Sequence, residues 1–204
     1  MRIKVIVLGV TAVIAFALGA WLLVSPSLER STDLAQQNEL LESIVAALPE
    51  AIEYGPVPTP DPLDLPAFPE SIIPLGILII DAIDLRLPVM EGVGEPELRI
   101  APGRVPQTAQ IGEVGNAVIA GHRNLTFGSM FNRLGEAQIG DIIRFQALSG
   151  KVMAFEVFEI AVITPDDQIA FIQPQNKSTI TLYTCTPIHT ATHRLIVRAR
   201  RINY

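Results

Sequence analysis

The one cysteine of the chain, Cys185, ends an apolar, threonine-rich run that begins at Thr181. A single cysteine cannot close a disulfide within its own chain, so it is a packed spectator, an intermolecular link or a working thiol. A working thiol performs acyl transfer when a histidine exchanges protons with it and a cation stabilises the oxyanion of the intermediate. His122 and Arg194 are the candidates for these two roles.

A turn at Pro187 separates the run that ends at Cys185 from a second run that begins at Arg194. Side chains alternate between the two faces of a strand, so Cys185 shares a face with Thr181 and Arg194 shares one with Arg198. If the two runs pair as antiparallel neighbours, the guanidinium of Arg194 lies beside the Cys185 sulfur. The pattern therefore predicts a cation that favours the thiolate and holds a developing oxyanion.

His122 follows Gly121 at the exit of the apolar run Ala117–Ala120. A histidine at the end of a buried strand is well placed to project into a cleft. There it can protonate a leaving amine and later activate the incoming nucleophile. The spacing along the chain does not by itself establish that His122 and Cys185 meet.

Three segments resemble elements of one family, the sortases, which are transpeptidases that cut an LPxTG-like sorting signal between Thr and Gly. Thr181–Cys185 is similar to the TLxTC signature of that family, Gly121–Arg123 to its catalytic-histidine element and Thr192–Leu195 to its catalytic-arginine strand. The resemblance extends from residue 75 to residue 202, with Asp84–Gly92 similar to an early strand of the family. It implies an eight-stranded barrel and a thioester acyl-enzyme at the cysteine.

Within the family, the sequence looks most like class C, the pilin-polymerising sortases, with class D as the alternative. Class C sortases carry a lid before the barrel, and its Asp-Pro-aromatic tip plugs the site. Asp61-Pro62-Leu63 occupies the corresponding stretch, although leucine stands in place of the aromatic residue. The resemblance implies that Asp61 pairs with Arg194 and that Leu63 covers Cys185. A turn in a proline-rich stalk is the other interpretation of Asp61-Pro62.

Short β-branched runs separated by Gly, Pro or Asp dominate the chain after residue 75, and helical periodicity there is limited to Ser129–Leu134. This pattern predicts an all-β domain, a barrel or a sandwich, with short helices. The candidate strands are Leu75–Asp81, Asn116–Ala120, Ile142–Ala147, Val152–Ile163, Thr179–Thr184 and Arg194–Arg200.

The N-terminal part predicts a membrane anchor, because Val5–Val24 is a run of 20 uncharged, mostly apolar residues. A helix of that length covers about 30 Å, the hydrocarbon core of a bilayer. Arg2 and Lys4 precede the run, so the positive-inside rule sends the following domain out of the cytoplasm. We expect an anchor over residues 1–24, a stalk over 25–74, a catalytic domain over 75–204, and an extracytoplasmic domain at the cell membrane. A cleaved signal peptide is the alternative, and it also predicts export.

Two features describe the predicted stalk. Residues 31–48 have the periodicity of an amphipathic helix, and residues 56–74 contain seven prolines, which favour an extended and semi-rigid chain. Between Glu29 and Leu85 there are 11 acidic residues and one basic residue, so nucleic acid is an unsuitable partner. The expected partners are a surface protein or pilin that carries a sorting signal and an amine acceptor, either a pilin lysine or a cell-wall precursor.

Two function classes remain as alternatives to the enzyme. Cys185, His189 and His193 have a spacing that a zinc-binding module could use on one helix face, but Pro187 within the span disfavours a helix. A non-catalytic envelope scaffold, with an unreactive cysteine and a stalk that binds partners, is the second alternative. Cysteine-based acyl transfer itself needs no metal or organic cofactor, and none is predicted. Calcium stays possible, although no loop of oxygen ligands indicates it.

Overall fold

The computed structural model describes residues 16, 21, 32–48, 73–125 and 128–203 of the 204-residue chain. Apart from residues 16 and 21, the predicted anchor over residues 1–24 lies outside the described residues, as do Asp61 and Leu63 of the predicted lid. In the part of the chain that is described, no helix is both long and apolar enough to cross a bilayer. Contacts divide the chain into a unit from Met1 to Gln36 and a unit from Gln37 to Tyr204, and the second unit contains the strands.

Eight strands close into a barrel, which confirms the predicted eight-stranded β-barrel. They are β1 (Pro74–Ile80), β2 (Leu85–Glu91), β3 (Gly103–Arg104), β4 (Gly115–Ala120), β5 (Ile142–Ala147), β6 (Val152–Ile163), β7 (Ser178–Thr186) and β8 (His193–Ile202). Their order around the barrel is β1-β2-β3-β4-β7-β8-β6-β5. The pairs β2–β3 and β4–β7 are parallel, and every other neighbouring pair is antiparallel.

Alternation along the strands fills the barrel interior. In β7 the even positions Ile180 and Leu182 belong to the main core, together with Phe131 and Phe155, and each of these side chains is fully buried. Residues at odd positions of β7 therefore face outward. The same alternation in β8 puts Leu195 and Val197 into the core and Arg194 on the outer face of the barrel wall.

The remaining elements are short. One helix spans Glu95–Ile100, and 3-10 turns span Asp81–Ile83, Asn132–Glu136 and Ile169–Phe171. The helical periodicity at Ser129–Leu134 corresponds in part to the second of these turns, which is a 3-10 turn because each hydrogen bond there closes over three residues, as from Leu134 N–H to Phe131 O.

A second core lies on the outside of the barrel, under residues 37–47, the part of the helix at residues 32–47 that belongs to the barrel unit and is called α1 here. Leu40 and Ile44 of α1 pack with Ile77 and Met90 from β1 and β2. The buried side chain of Gln37 donates from Nε2 to the carbonyl oxygen of Ile100 at 3.0 Å. Residues that the sequence assigns to the stalk are therefore part of the same compact unit as the barrel.

Candidate active site

Strands β7 and β8 bring Cys185 and Arg194 directly opposite each other. Side chains at opposite positions of an antiparallel pair point to the same face, here the outer face of the barrel wall. The Cys185 thiol is free and half-buried. The register therefore places Cys185 and Arg194 at facing positions on the same side of the wall, which agrees with the strand alternation.

The turn between β7 and β8 holds the guanidinium of Arg194. The turn begins with a cis peptide bond between Thr186 and Pro187, and it closes through a 2.8 Å hydrogen bond from Ala191 N–H to Pro187 O. Arg194 Nη1 donates to Ala191 O at 3.0 Å and to His193 O at 2.9 Å. No carboxylate among the described residues forms a salt bridge with Arg194, so those residues leave its positive charge uncompensated.

His122 lies on the other side of Cys185, on the segment that leaves β4. Strands β4 and β7 are parallel, and Ala120 pairs with Tyr183 in their register. Gly121 N–H donates to Tyr183 O at 3.1 Å, so the parallel pairing continues past Ala120. His122 and Cys185 each lie two residues beyond Ala120 and Tyr183, the last paired positions of the two strands. His122, Cys185 and Arg194 therefore lie near the same end of three neighbouring strands, and we call these three positions the row.

Gly121 lets the histidine segment run close against the barrel. A Cβ atom at this position would lie 2.9 Å from two ring carbons of Phe131, which is fully buried. The Thr184 hydroxyl donates to Gly121 O at 2.7 Å, and Phe131 N–H donates to His122 O at 3.0 Å. The backbone on both sides of His122 is thus fixed, while its imidazole is exposed.

Arg123, which follows His122, makes contacts that no sequence pattern predicts. Its Nη1 donates to Thr186 Oγ1 at 2.9 Å, although the two residues are 63 positions apart in the chain. Its Nε lies 3.4 Å from Asn132 O. The only sequence signal for Arg123 is its membership of the Gly121–Arg123 motif.

The connection from β6 to β7 carries an exposed carboxylate, Asp166. Ile163 at the end of β6 pairs with Arg194, and Asp166 follows three residues later. A hydrogen bond from the Thr164 side chain, and a second from the backbone of Asp166 itself, hold the pKa of the exposed Asp166 carboxyl below its usual value. Asp166 is therefore negatively charged at neutral pH.

The other two histidines occupy the β7–β8 turn and the start of β8. His193 pairs with Thr186, one position beyond Cys185 and Arg194, so its side chain lies on the opposite face from theirs. Cys185, His189 and His193 belong to a strand end, a turn and a strand start, and do not lie on one helix. Within residues 32–48, 73–125 and 128–203, no group of three or more His, Cys, Asp or Glu side chains is arranged to hold a metal ion.

Comparison with known proteins identifies the family. The sortase domain model matches residues 78–202. Sortase D of Bacillus subtilis (strain 168) is 28% identical over 137 residues, which are 66% of this chain and 67% of that protein. Among solved structures, sortase C-1 of Streptococcus pneumoniae is 34% identical with a TM-score of 0.58, over 63% of this chain and 67% of that one. A sortase D5 transpeptidase of Clostridium perfringens is 32% identical with a TM-score of 0.58, over 64% and 79% of the two chains.

The similar proteins include both class C and class D sortases, and the domain match covers most of the chain and every strand except β1, all of them in the closed barrel described above. The chain belongs to the sortase family.

Proposed function

We propose that this sortase is a membrane-anchored cysteine transpeptidase that uses Cys185 as its nucleophile. The observation that supports the proposal is that Cys185 faces Arg194 across β7 and β8, while His122 follows the end of the neighbouring strand β4. The substrate is a surface protein or pilin with an LPxTG-like sorting signal. The product is the same protein joined to an amine.

In the first half of the reaction, the Cys185 thiolate attacks the carbonyl carbon of the sorting-signal threonine. A C–S bond forms, and the carbonyl oxygen becomes an oxyanion that Arg194 stabilises by charge and hydrogen bonding. The C–N bond then breaks, and the departing amine takes a proton from the His122 imidazolium. The product of this half is a thioester between the threonine and Cys185.

In the second half, an amine attacks the thioester carbon and gives a proton to His122. The second tetrahedral oxyanion forms at the same place and is stabilised by the same cation. An amide bond forms, the C–S bond breaks, and Cys185 leaves as a thiolate. The exposure of the His122 imidazole supports this step, because both the leaving and the incoming amine must reach it from solvent.

The resemblance to the family supports the choice of acceptor, and the apolar N-terminal run of the sequence supports the location. The acceptor amine is a pilin lysine or a cell-wall precursor, and residues 1–24 anchor the enzyme with its catalytic domain outside the cytoplasm. The class C alternative adds a lid, in which Asp61 pairs with Arg194 and Leu63 covers Cys185.

The test is intact-mass spectrometry of the full chain, purified in mild detergent and incubated with a library of LPxTG-type peptides. We expect an adduct that ends in threonine, and we expect it to vanish in Cys185→Ala. His122→Ala should lose the adduct as well. His189→Ala is the matched control, since His189 lies in the exposed turn and takes no part in the reaction. Absence of any adduct, together with a Cys185 that resists alkylation, would favour the alternative that the protein is a non-catalytic envelope scaffold.

Two further measurements separate the alternatives. Asp61→Ala should form the adduct faster than the unsubstituted chain if the lid exists, and at the same rate if Asp61 lies in a simple turn. The metal content of the purified chain tests the alternative of a zinc-binding module. That alternative requires about one zinc ion per chain, and His189→Ala should lose it.

A further inference from the structure

Arg123 connects the two segments that carry His122 and Cys185. Its guanidinium donates to Thr186, the residue after Cys185, and Arg123 is itself the residue after His122. The hydrogen bond therefore joins the next neighbours of both reactive positions. At 2.9 Å it has the length of an ordinary strong side-chain hydrogen bond.

The segment that follows β4 is otherwise closed on itself. Its internal bonds are those from Phe131 N–H to His122 O, from Asn132 Nδ2 to Asn124 O at 2.6 Å and from Asn124 Nδ2 to Ser129 Oγ at 3.1 Å. Among the described residues, the contact between Arg123 and Thr186 is the one side-chain hydrogen bond that joins residues 122–132 to β7. Without this bond, the hydrogen bonds that connect this part of the chain to β7 are those of Gly121, and Phe131 still packs in the core with Ile180 and Leu182.

The guanidinium is also confined from the sides. Its Nε faces Asn132 O at 3.4 Å, and its Nη2 lies so close to the backbone of Gly135 that a Cβ there would be 2.7 Å away. A planar group with donors in several fixed directions can serve two such acceptors at once, and a lysine ammonium cannot reproduce that geometry.

From these contacts we propose that Arg123 is a positioning residue that holds His122 at working distance from Cys185. It acts through the backbone of the histidine segment and does not touch the substrate. This inference rests on the proposed function, since it gives Arg123 a part in the same reaction. A displacement of about 1 Å in a reacting group can lower a rate about 100-fold, so a brace of this kind has a measurable effect.

The test uses steady-state kinetics of the full chain with an internally quenched LPxTG-type peptide and triglycine as acceptor. Arg123→Met should lower kcat about 10- to 100-fold and leave KM within about 2-fold. Thr186→Val removes the acceptor without touching the arginine, and it should lower kcat in the same way. Thr186→Ser keeps the hydroxyl and should retain nearly full activity. The double variant with Arg123→Met and Thr186→Val should lose little more than either single variant, because both remove one interaction.

Further variants test whether the loss of kcat in Arg123→Met comes merely from the lost positive charge or from a lower stability of the protein. Arg123→Lys should recover only part of kcat, because its ammonium keeps the charge but not the two-acceptor geometry. Arg144→Met removes a surface ion pair between β5 and Asp81 and should leave kcat unchanged. Three results would overturn the inference: an Arg123→Met enzyme with full kcat, a raised KM at unchanged kcat, or full activity in Arg123→Lys.

A spectroscopic measurement separates this inference from the proposed function. In a histidine-selective NMR spectrum of the full chain, the His122 ring signal should shift in Arg123→Met and Thr186→Val, while the His189 signal stays in place. Failure of the unsubstituted chain to form an acyl adduct would reject the proposed function. The NMR spectrum would then still test whether the Arg123–Thr186 hydrogen bond positions His122. An unchanged His122 signal in both variants would reject the positioning role of Arg123, even if the enzyme is active.

Discussion

The parallel pair of β4 and β7 has two ends with opposite properties. At the end where both strands begin, which we call the buried end, the Asn116 side chain is fully buried. Its Nδ2 donates to Ala170 O at 2.8 Å, and its Oδ1 accepts from Thr181 at 2.8 Å. At the end where both strands finish, which we call the open end, His122 is exposed and Cys185 is half-buried.

The comparison suggests that residues at the buried end determine stability and that residues at the open end determine reactivity. Buried polar atoms contribute to a unique fold when they have hydrogen-bond partners, and both polar atoms of the Asn116 side chain have one. A nucleophile and its proton carrier must keep hydrogen-bonding capacity free for a substrate. We therefore expect substitutions at the buried end to change stability and substitutions at the open end to change rate.

The largest effect should come from Arg194→Met at the open end. Removal of the cation that stabilises the oxyanion should lower kcat/KM about 100- to 1000-fold. The melting temperature should hardly change, because the hydrogen bonds of the guanidinium to described residues go to two carbonyls in and beside an exposed turn. Arg200→Met is the control on the same strand: Arg200 lies at the buried end, pairs with Glu156 on the surface, and should leave kcat/KM within about 2-fold. Equal losses of kcat/KM in Arg194→Met and Arg200→Met would show that the two ends do not differ in their effect on rate.

The next largest effect should come from Asn116→Ala at the buried end. The substitution leaves Ala170 O and the Thr181 hydroxyl without their buried partner, which should cost about 2–3 kcal/mol of unfolding free energy. Urea denaturation measures this loss, and the kcat/KM of the folded fraction should stay within about 2-fold of the unsubstituted value. A fall of kcat/KM to the level of Arg194→Met would contradict the separation.

A smaller loss is expected for Thr181→Val, which removes one donor to Asn116 and keeps the shape of the side chain. The cost should be about 1 kcal/mol in the same denaturation experiment, the usual net value of one hydrogen bond. Thr190→Val in the exposed β7–β8 turn is the matched control and should change the stability by less than about 0.5 kcal/mol. A Thr181→Val chain as stable as the control would mean that the Asn116 contact contributes nothing.

The smallest effect belongs to an exposed pair beside the open end, Arg133 and Glu136 on the 3-10 turn. A hydrogen bond from Arg133 lowers the pKa of the Glu136 carboxyl. A carboxyl whose pKa is lowered by folding stabilises the protein above its unfolded pKa and loses this contribution as the pH falls through the folded pKa. Glu136→Gln should therefore lower the melting temperature slightly at pH 7, and the difference should shrink as the pH falls through the lowered pKa of the folded carboxyl. A difference that grows in acid would contradict the assignment.

The sequence predicts which residues lie at the open end, but it does not predict how β4 and β7 pair there. The alternation in Thr181–Cys185 and the turn at Pro187 are local signals, so β7, β8 and the facing of Cys185 and Arg194 follow from them. The pairing of β4 with β7 leaves no such signal, because it joins residues 63 positions apart, as in the bond from Thr184 to Gly121. For that reason the approach of the His122 segment to the end of β7 becomes visible only in the register of the folded chain.

Short and peripheral elements are the part of the fold that the sequence does not predict. β3 has two residues, too few for any alternation to show, and the helix at Glu95–Ile100 is shorter than two turns. The packing of Leu40 and Ile44 against the barrel is likewise not readable, since an amphipathic helix indicates an apolar face and not the surface that receives it. The buried role of Asn116 escapes prediction because a polar residue at a strand start resembles a turn residue.

The parallel pairing of β4 and β7 also determines when reactivity appears during folding. β7 and β8 are the last two strands in chain order, and both pair with strands formed much earlier, β7 with β4 and β8 with β6. Such long-range pairings form slowly, because distant parts of the chain must meet before any contact is gained. A nascent chain that already contains His122 therefore has no thiol and no cation beside it. Cys185 and Arg194 face each other only once β8 has paired with β7, so under the proposed function a chain that ends before β8 lacks the cation that the thioester-forming step uses.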